Sequence, residues 1–283
     1  MKNKCIWLVI MGLTVAASLR SQAVSSGTQL YVKLFGGYGV LTPGSFRLAS
    51  FTNQGMIGST SQSKQGLGTG VRAGGGIGVI VSDFINIGAD AEYLAGTSLS
   101  SNTNYSSASS YSFISQTKIN YTALSIVPHI IFKAVSKPGY LIYNKVGVIV
   151  NLPMELKRTE FDSSFSKTAN YYYSARKNGV SKIGLTLGLN VALGVQVRVT
   201  DKLRAFSELF GNYLVLSPTN YDENRVEINN GKSSTSDFHT KYIKEGETST
   251  TTSGTSTFTT VAVNGNTFNM NALGVNIGLS YRF

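Results

Sequence analysis

The chain has 283 residues, with 25 Lys and Arg against 14 Asp and Glu, a formal charge of +11, and 14% charged residues overall. Its length suits a single domain behind a leader, and its lone cysteine, Cys5, excludes a disulfide framework and a cysteine-ligated metal. Thirty glycines and fifteen tyrosines beside five prolines and one tryptophan favour strands over helices, and beyond the first residues no run of 18 apolar positions exists to form a membrane helix.

The first predicted element is the amino terminus. Lys2 and Lys4 precede a mostly apolar run, 6–17, followed by Ser21-Gln22-Ala23, the pattern of a signal peptide spanning 1–23. Cleavage after Ala23 would remove Cys5 and three basic residues (Lys2, Lys4, Arg20), leaving one domain, 24–283, with a balance of +8. A basic surplus can mean nucleic acid, but export argues against it; the surplus suits lipopolysaccharide phosphates or other anionic envelope polymers.

Period-two alternation then runs along the chain. Strand one is expected at 29–41, with Leu30, Val32, Leu34, Tyr38 and Val40 on one face and Tyr31, Lys33, Phe35, Gly37 and Gly39 on the other. Strands two (69–81) and three (85–96) repeat the contrast, placing Arg72, Asp90 and Glu92 on the small, polar face. Strands four (119–134) and five (140–152) put Pro128 and Asn144 on the apolar face; proline cannot donate to a ladder and should mark a bulge or local break. Strand six (183–199) alternates without interruption, followed by strand seven (203–216) and strand eight (270–283). Each is long enough for a tilted transmembrane strand, about 9–11 residues. Large apolar faces opposed to glycine-rich polar faces invert a soluble core and fit a barrel whose solvent is lipid.

The connections alternate short and long. Segments 81–85 and 199–203 read as two copies of one tight turn, and 136–139 as a third. The segments 42–68, 97–118, 153–182 and 217–269 are long and polar and are expected on the extracellular side. Residues 98–117, rich in serine, and 248–260, rich in threonine, are expected to be mobile loops, with a further hairpin open for 256–263. Eight strands place both termini in the periplasm.

The chain ends on Tyr281-Arg282-Phe283 after an unbroken alternation from Ala272. With the strand count and turn pattern, this ending resembles the small eight-stranded outer-membrane barrels of the OmpA and OmpX type, over residues 24–283. The resemblance implies an all-β, antiparallel, eight-stranded transmembrane β-barrel of up-and-down topology in the bacterial outer membrane. It also implies that Tyr281 and Phe283 are read by the barrel assembly machinery. The family includes anchors, adhesins, immune-evasion proteins and a few lipid-modifying enzymes.

Eight strands enclose little more than their own side chains. Three cations (Lys33, Arg72, Lys145) and three carboxylates (Asp90, Glu92, Glu208) fall on the inner face at mid-strand, and closing the 82–84 turn sets Arg72 opposite Leu94 and diagonal to Glu92. Such charges need one another at low dielectric. Among the loops, 157–177 stands out: Lys157, Arg158, Lys167, Arg176 and Lys177 accompany Phe161, Phe165 and Tyr171-Tyr172-Tyr173, a set suited to phosphates or sugars of the envelope or a host surface. His129 and His239 are the only histidines, and no catalytic triad, cofactor or metal set is expected. The reading is a monomeric, noncatalytic envelope protein or scaffold for binding loops. A narrow or gated channel, a lipid-modifying enzyme and a secreted soluble β-protein are the alternatives.

Overall fold

The computed structural model describes residues 29–54, 57–62, 65–107, 111–241, 248–253, 256–261 and 267–283; the expected signal peptide lies outside them. Eighteen strands follow one another in chain order, with no helix among the described residues. The first six are β1 (Gln29–Leu41), β2 (Ala49–Gln54), β3 (Ile57–Gln62), β4 (Gly70–Ile80), β5 (Ile85–Gly96) and β6 (Leu99–Ser107). Then come β7 (Tyr111–Ser136), β8 (Tyr140–Asn151), β9 (Met154–Ser166), β10 (Tyr171–Ile183), β11 (Thr186–Arg198) and β12 (Leu203–Leu216). The last six are β13 (Pro218–Asn229), β14 (Lys232–Lys241), β15 (Thr248–Ser253), β16 (Ser256–Val261), β17 (Phe268–Asn269) and β18 (Ala272–Arg282).

Eight of them pair antiparallel in a closed cycle, β1-β4-β5-β7-β8-β11-β12-β18 and back to β1. These are the eight strands that alternation marks in the sequence. The total of eighteen exceeds eight because the long segments are themselves strands. β6, β9, β10, β13, β14, β15 and β16, with β2 and β3, build a second sheet in the order β3-β2-β6-β7-β9-β10-β13-β14-β15-β16, antiparallel except at β2–β6. β7 belongs to both sheets: residues 122–132 pair with β5, while 111–121 pair with β9. Within the segments expected as loops, 99–107 pairs with 111–119 and 248–253 with 256–261. Ser and Thr are short and β-compatible, and hairpin pairing gives their backbone groups partners.

Boundaries also shift. The sixth predicted strand, 183–199, divides at Gly184: Ile183 closes β10 and the ring strand starts at Thr186, whose hydroxyl donates to Gly184 O at 3.1 Å. Pro128 causes no register change. Pairing of β7 with β8 skips Val127 and Pro128 and resumes in the same register, while the shift falls between Lys133 and Val135. The two look-alike turns share one bonding scheme. Val81 N–H donates to Ile85 O at 3.0 Å and Val199 N–H to Leu203 O at 2.9 Å; the Ser82 and Thr200 hydroxyls accept from Ile85 N–H and Leu203 N–H, at 3.1 and 3.0 Å.

The ring is apolar outside. On β11 the side chains from Leu187 to Val197 that face outward are 40–63% exposed, far more contiguous apolar surface than a water-soluble monomer leaves open. Its inner face is filled by a recurrent pairing. Tyr31, Phe35, Tyr143, Phe206 and Phe210 each stand directly opposite a glycine: Gly78, Gly74, Gly194, Gly278 and Gly274. A Cβ on any of these glycines would lie 2.3–2.7 Å from the opposing ring, so the missing side chain lets the ring lie across the neighbouring strand. Gly194→Ala should displace the Tyr143 ring at a cost of about 1–3 kcal/mol, read as a lowered unfolding midpoint in urea. Gly139→Ala, with nothing near its Cβ, is the matched control.

Candidate functional site

From one end of the ring to the other the interior passes through three layers. The middle layer is ionic. Lys33 Nζ lies 2.9 Å from Asp90 Oδ2; Lys145 Nζ reaches the same oxygen at 3.5 Å and Glu208 Oε2 at 2.6 Å, and Tyr143 donates its hydroxyl to Glu208 Oε1 at 2.8 Å. Arg72 pairs with Glu92, with Leu94 directly opposite it on β5, and its guanidinium packs 5.0 Å from the Phe210 ring. All six charged residues predicted for the interior thus meet in these contacts, each 2–9% exposed. His129, buried beside them, has Nδ1 at 3.0 Å from Val127 O and 3.7 Å from Asp90 Oδ2. Two voids in the ring, of about 20 Å³ beside Tyr31 and Glu208 and about 10 Å³ beside Arg72 and Glu92, are of the size of one water.

Toward the turns at 81–85 and 199–203 the interior opens on arginines: Arg204 and Arg282 are half-buried and Arg198 pairs with Asp201. Toward the hairpins the third layer is an apolar plug, in which Leu67, Leu94, Tyr121, Leu156, Leu214 and Met270 are buried together. Its cover comes from segments 42–48, 65–69 and 267–271, folded inward. Leu67 N–H donates to Phe46 O at 3.0 Å, Phe46 N–H to Asn269 O at 2.8 Å and Met270 N–H to Leu214 O at 2.7 Å. The Tyr121 hydroxyl accepts from Gly68 N–H at 2.9 Å and donates to Thr69 O at 2.9 Å. Gly68 has φ +95°, and a Cβ there would meet Asn271 O at 2.7 Å; only glycine fits this turn of the cover.

Above the plug is a cavity of about 500 Å³. Its floor is Phe46, Leu48, Leu67, Ile119, Leu156 and Phe268, and its wall is Arg158, Glu160, Lys177, Tyr221, Glu223 and Arg225 from β9, β10 and β13. Register builds the wall in rungs: Glu160, Lys177 and Arg225 are aligned across the three strands, and so are Arg158, Gly179 and Glu223. Lys177 Nζ donates to Glu160 Oε1 at 2.8 Å and Asp162 Oδ2 at 2.6 Å, Arg158 pairs with Glu160, and Arg225 reaches Glu223 at 3.0 Å and Glu227 at 3.2 Å. The Tyr221 ring covers Gly179 and its hydroxyl donates to Glu223 Oε2 at 2.6 Å.

Burial alone would raise the Asp162 carboxyl, but hydrogen bonds from Lys177 and Ser115 outweigh it and hold Asp162 below its ordinary value. Burial would likewise lower Lys177, yet its bonds to Asp162 and Glu160 raise it. A depressed carboxylate stabilises above its unfolded pKa and loses that contribution as pH falls through the folded value; a raised lysine contributes below its unfolded pKa and loses it as pH rises past the folded value. The wall should therefore hold between about pH 4 and pH 10 and loosen first in acid. Hydrogen exchange at Tyr173 to Lys177, corrected for intrinsic pH dependence, should rise below about pH 4 and do so earlier in Ser115→Ala.

Of the cationic and aromatic positions singled out in 157–177, the structure gathers only part. Arg158 and Lys177 line the cavity, and Tyr173 is half-buried with its hydroxyl 3.0 Å from Glu227 Oε1. Tyr171 is half-buried as well, Lys167 sits in the β9–β10 turn, and Lys157, Tyr172 and Arg176 are exposed. Sequence reasoning missed Glu160, Asp162, Tyr221, Glu223, Arg225 and Glu227. The signal lay in the alternation of Tyr221, Glu223, Arg225 and Glu227, which puts most of the charge of β13 on one face. Tyr281 and Phe283 point outward, their rings edge-to-face at 5.2 Å, and Phe283 N–H donates to Leu30 O at 3.0 Å. His239 lies on β14 with its backbone opposite Asp222, and among the described residues no group of His, Cys, Asp or Glu has metal-binding geometry.

No family model and no curated protein sequence matches the chain. Among solved structures, a major outer membrane protein from Thermus thermophilus aligns over 90% of this chain and 99% of its own, at 12% identity and a TM-score of 0.38. A Pseudomonas aeruginosa FadL homologue aligns over 90% and 89%, at 10% identity and a TM-score of 0.23. Salmonella typhi OmpF in complex with daunomycin aligns over 90% and 97%, at 9% identity and a TM-score of 0.10.

Proposed function

We propose that the chain is a monomeric eight-stranded transmembrane barrel of the bacterial outer membrane, noncatalytic and sealed, that serves as a scaffold for a binding surface built on its extracellular hairpins. The observation that carries this reading is the opposition of two faces. The outer face of the closed ring is apolar and exposed, from Leu187 to Val197 on β11 and from Leu273 to Leu279 on β18, as a lipid-facing belt must be. The inner face is filled by buried ion pairs and rings, and the voids beside Tyr31 and Glu208 and beside Arg72 and Glu92 are of the size of one water. Closure leaves no unpaired edge in hydrocarbon, the condition for a sheet to cross a bilayer.

In this reading the hairpins stand outside the cell, the turns at 81–85 and 199–203 face the periplasm, and residues 1–23 are the export signal. Lys157 and Arg176, exposed on the outer side of β9 and β10, meet lipopolysaccharide phosphates, and Tyr281 and Phe283 engage the assembly machinery. The test has two parts. Outer-membrane fractions run on detergent gels should give a band that shifts on boiling, and the same protein should give no steps of conductance in planar bilayers. Stable single-channel steps from heat-shifting protein would replace the sealed scaffold with a channel, and a band that never shifts would remove the barrel itself.

A further inference from the structure

The cavity above the plug combines an apolar floor with a wall whose charges are unevenly sunk. The carboxylates lie deep: the Glu160 and Glu223 side chains are 14% and 10% exposed. The guanidinium groups stand in front of them, Arg158 at 45% and Arg225 at 30%. Arg225 uses Nε, Nη1 and Nη2 on Glu223 and Glu227, whereas Arg158 engages Glu160 through Nη2. Arg158 lines the cavity and is the more exposed of the two, and a planar guanidinium is suited to a bidentate carboxylate or a comparable anion. The carboxylates behind it hold its position and offset part of its charge.

The floor selects for the other end of the ligand. Phe46 and Phe268 meet edge-to-face at 4.8 Å between ring centroids, and with Leu48, Ile119 and Leu156 they offer rings and branched carbons where water gains little. The volume, about 500 Å³, lies within the range of small-molecule sites, about 300–1,000 Å³. The inward cover segments and the plug lie beneath the floor, between the cavity and the ionic layer of the ring.

We infer that this cavity is a binding site for a small organic anion with an apolar body, the body seated on the Phe46–Phe268 floor and the anionic group on Arg158. The inference rests on the extracellular placement proposed above. The probe is 2-naphthoate, with uncharged 2-naphthalenemethanol as the matched control, measured by equilibrium dialysis against full-length protein in detergent, empty micelles subtracted. Saturable binding of 2-naphthoate is expected. Arg158→Gln should weaken 2-naphthoate about tenfold, the loss of one charge-assisted contact, and leave 2-naphthalenemethanol unchanged, while Phe268→Ser should weaken both.

Equal retention of the two probes, or 2-naphthoate binding indifferent to Arg158→Gln, overturns the inference. The heat shift separates this failure from that of the barrel reading. Protein that shifts on boiling, does not conduct and does not bind 2-naphthoate defeats the ligand assignment alone. Protein that does not shift defeats the barrel and the site with it. Arg158 is the most exposed cation of the wall, so Arg158→Gln is expected to keep the heat shift; Arg158→Lys, which keeps charge and loses the fork, provides a second reading of the same contact.

Discussion

Asp90→Asn should destabilise the folded ring by about 3–5 kcal/mol, the range for stripping one partner from a buried ion pair. Asp90 holds two ammonium groups, Lys33 at 2.9 Å and Lys145 at 3.5 Å. Lys145 keeps Glu208 at 2.6 Å, but Lys33 has no second carboxylate in direct contact and keeps the more distant charge of Glu208, the neutral Asn oxygen and the Phe35 and Phe206 rings, with its Nζ 5.8 Å from each centroid. A cation–π contact offsets about 2 kcal/mol at best in a desolvated site, too little to replace the carboxylate. The double variant Asp90→Asn with Lys33→Met should recover a substantial part of the loss, since it removes the stranded charge as well as its partner. Urea unfolding of vesicle-embedded protein reads both. Equal stability of Asp90→Asn and wild type would mean that water enters the ring and hydrates Lys33, and the sealed interior would fail with it.

Ile277→Arg should cost about 2–4 kcal/mol if β18 crosses the bilayer with Ile277 near its midplane, and Val81→Arg, at a turn, about 0–1 kcal/mol. Both parent side chains are more than half exposed, at 63% and 57%, so in water the two substitutions would be equally mild. The contrast between them is therefore a depth gauge. Refolding yield into lipid vesicles, scored by the heat shift, should fall sharply for Ile277→Arg and little for Val81→Arg. Indistinguishable yields would make the exposed belt a surface for another protein or another copy rather than for lipid.

The ring was legible in the sequence because its two faces are opposite in character, outward apolar residues alternating with inward small or polar ones along most of β1, β4, β5, β11 and β18. The interior pairs followed from register. Once the 82–84 turn is closed, Arg72 can only stand opposite Leu94, and Glu92 is its diagonal neighbour. The hairpins were illegible for the converse reason. Residues 99–107 carry Ser, Asn and Thr on both faces, and alternation that separates polar from polar leaves no periodic signal. The wall of the cavity was half visible. The cations of 157–177 were conspicuous, but which of them face inward depends on β10 lying between β9 and β13. That placement brings Arg225, 48 residues beyond Lys177, directly opposite it.

The rings set against glycines have a consequence for assembly. A one-residue slip would turn a strand inside out, and that error announces itself. A two-residue slip keeps every side chain on its proper face and is the harder mistake to reject. Sliding β12 by two against β18 would bring Phe206 from Gly278 onto Asn276 or Ser280, whose side chains occupy the space the ring needs. The five fittings lie at three seams, β1–β4, β8–β11 and β12–β18, so the glycines help those seams reject a two-residue slip, and a lineage that fills one of them is expected to shrink its aromatic partner in step.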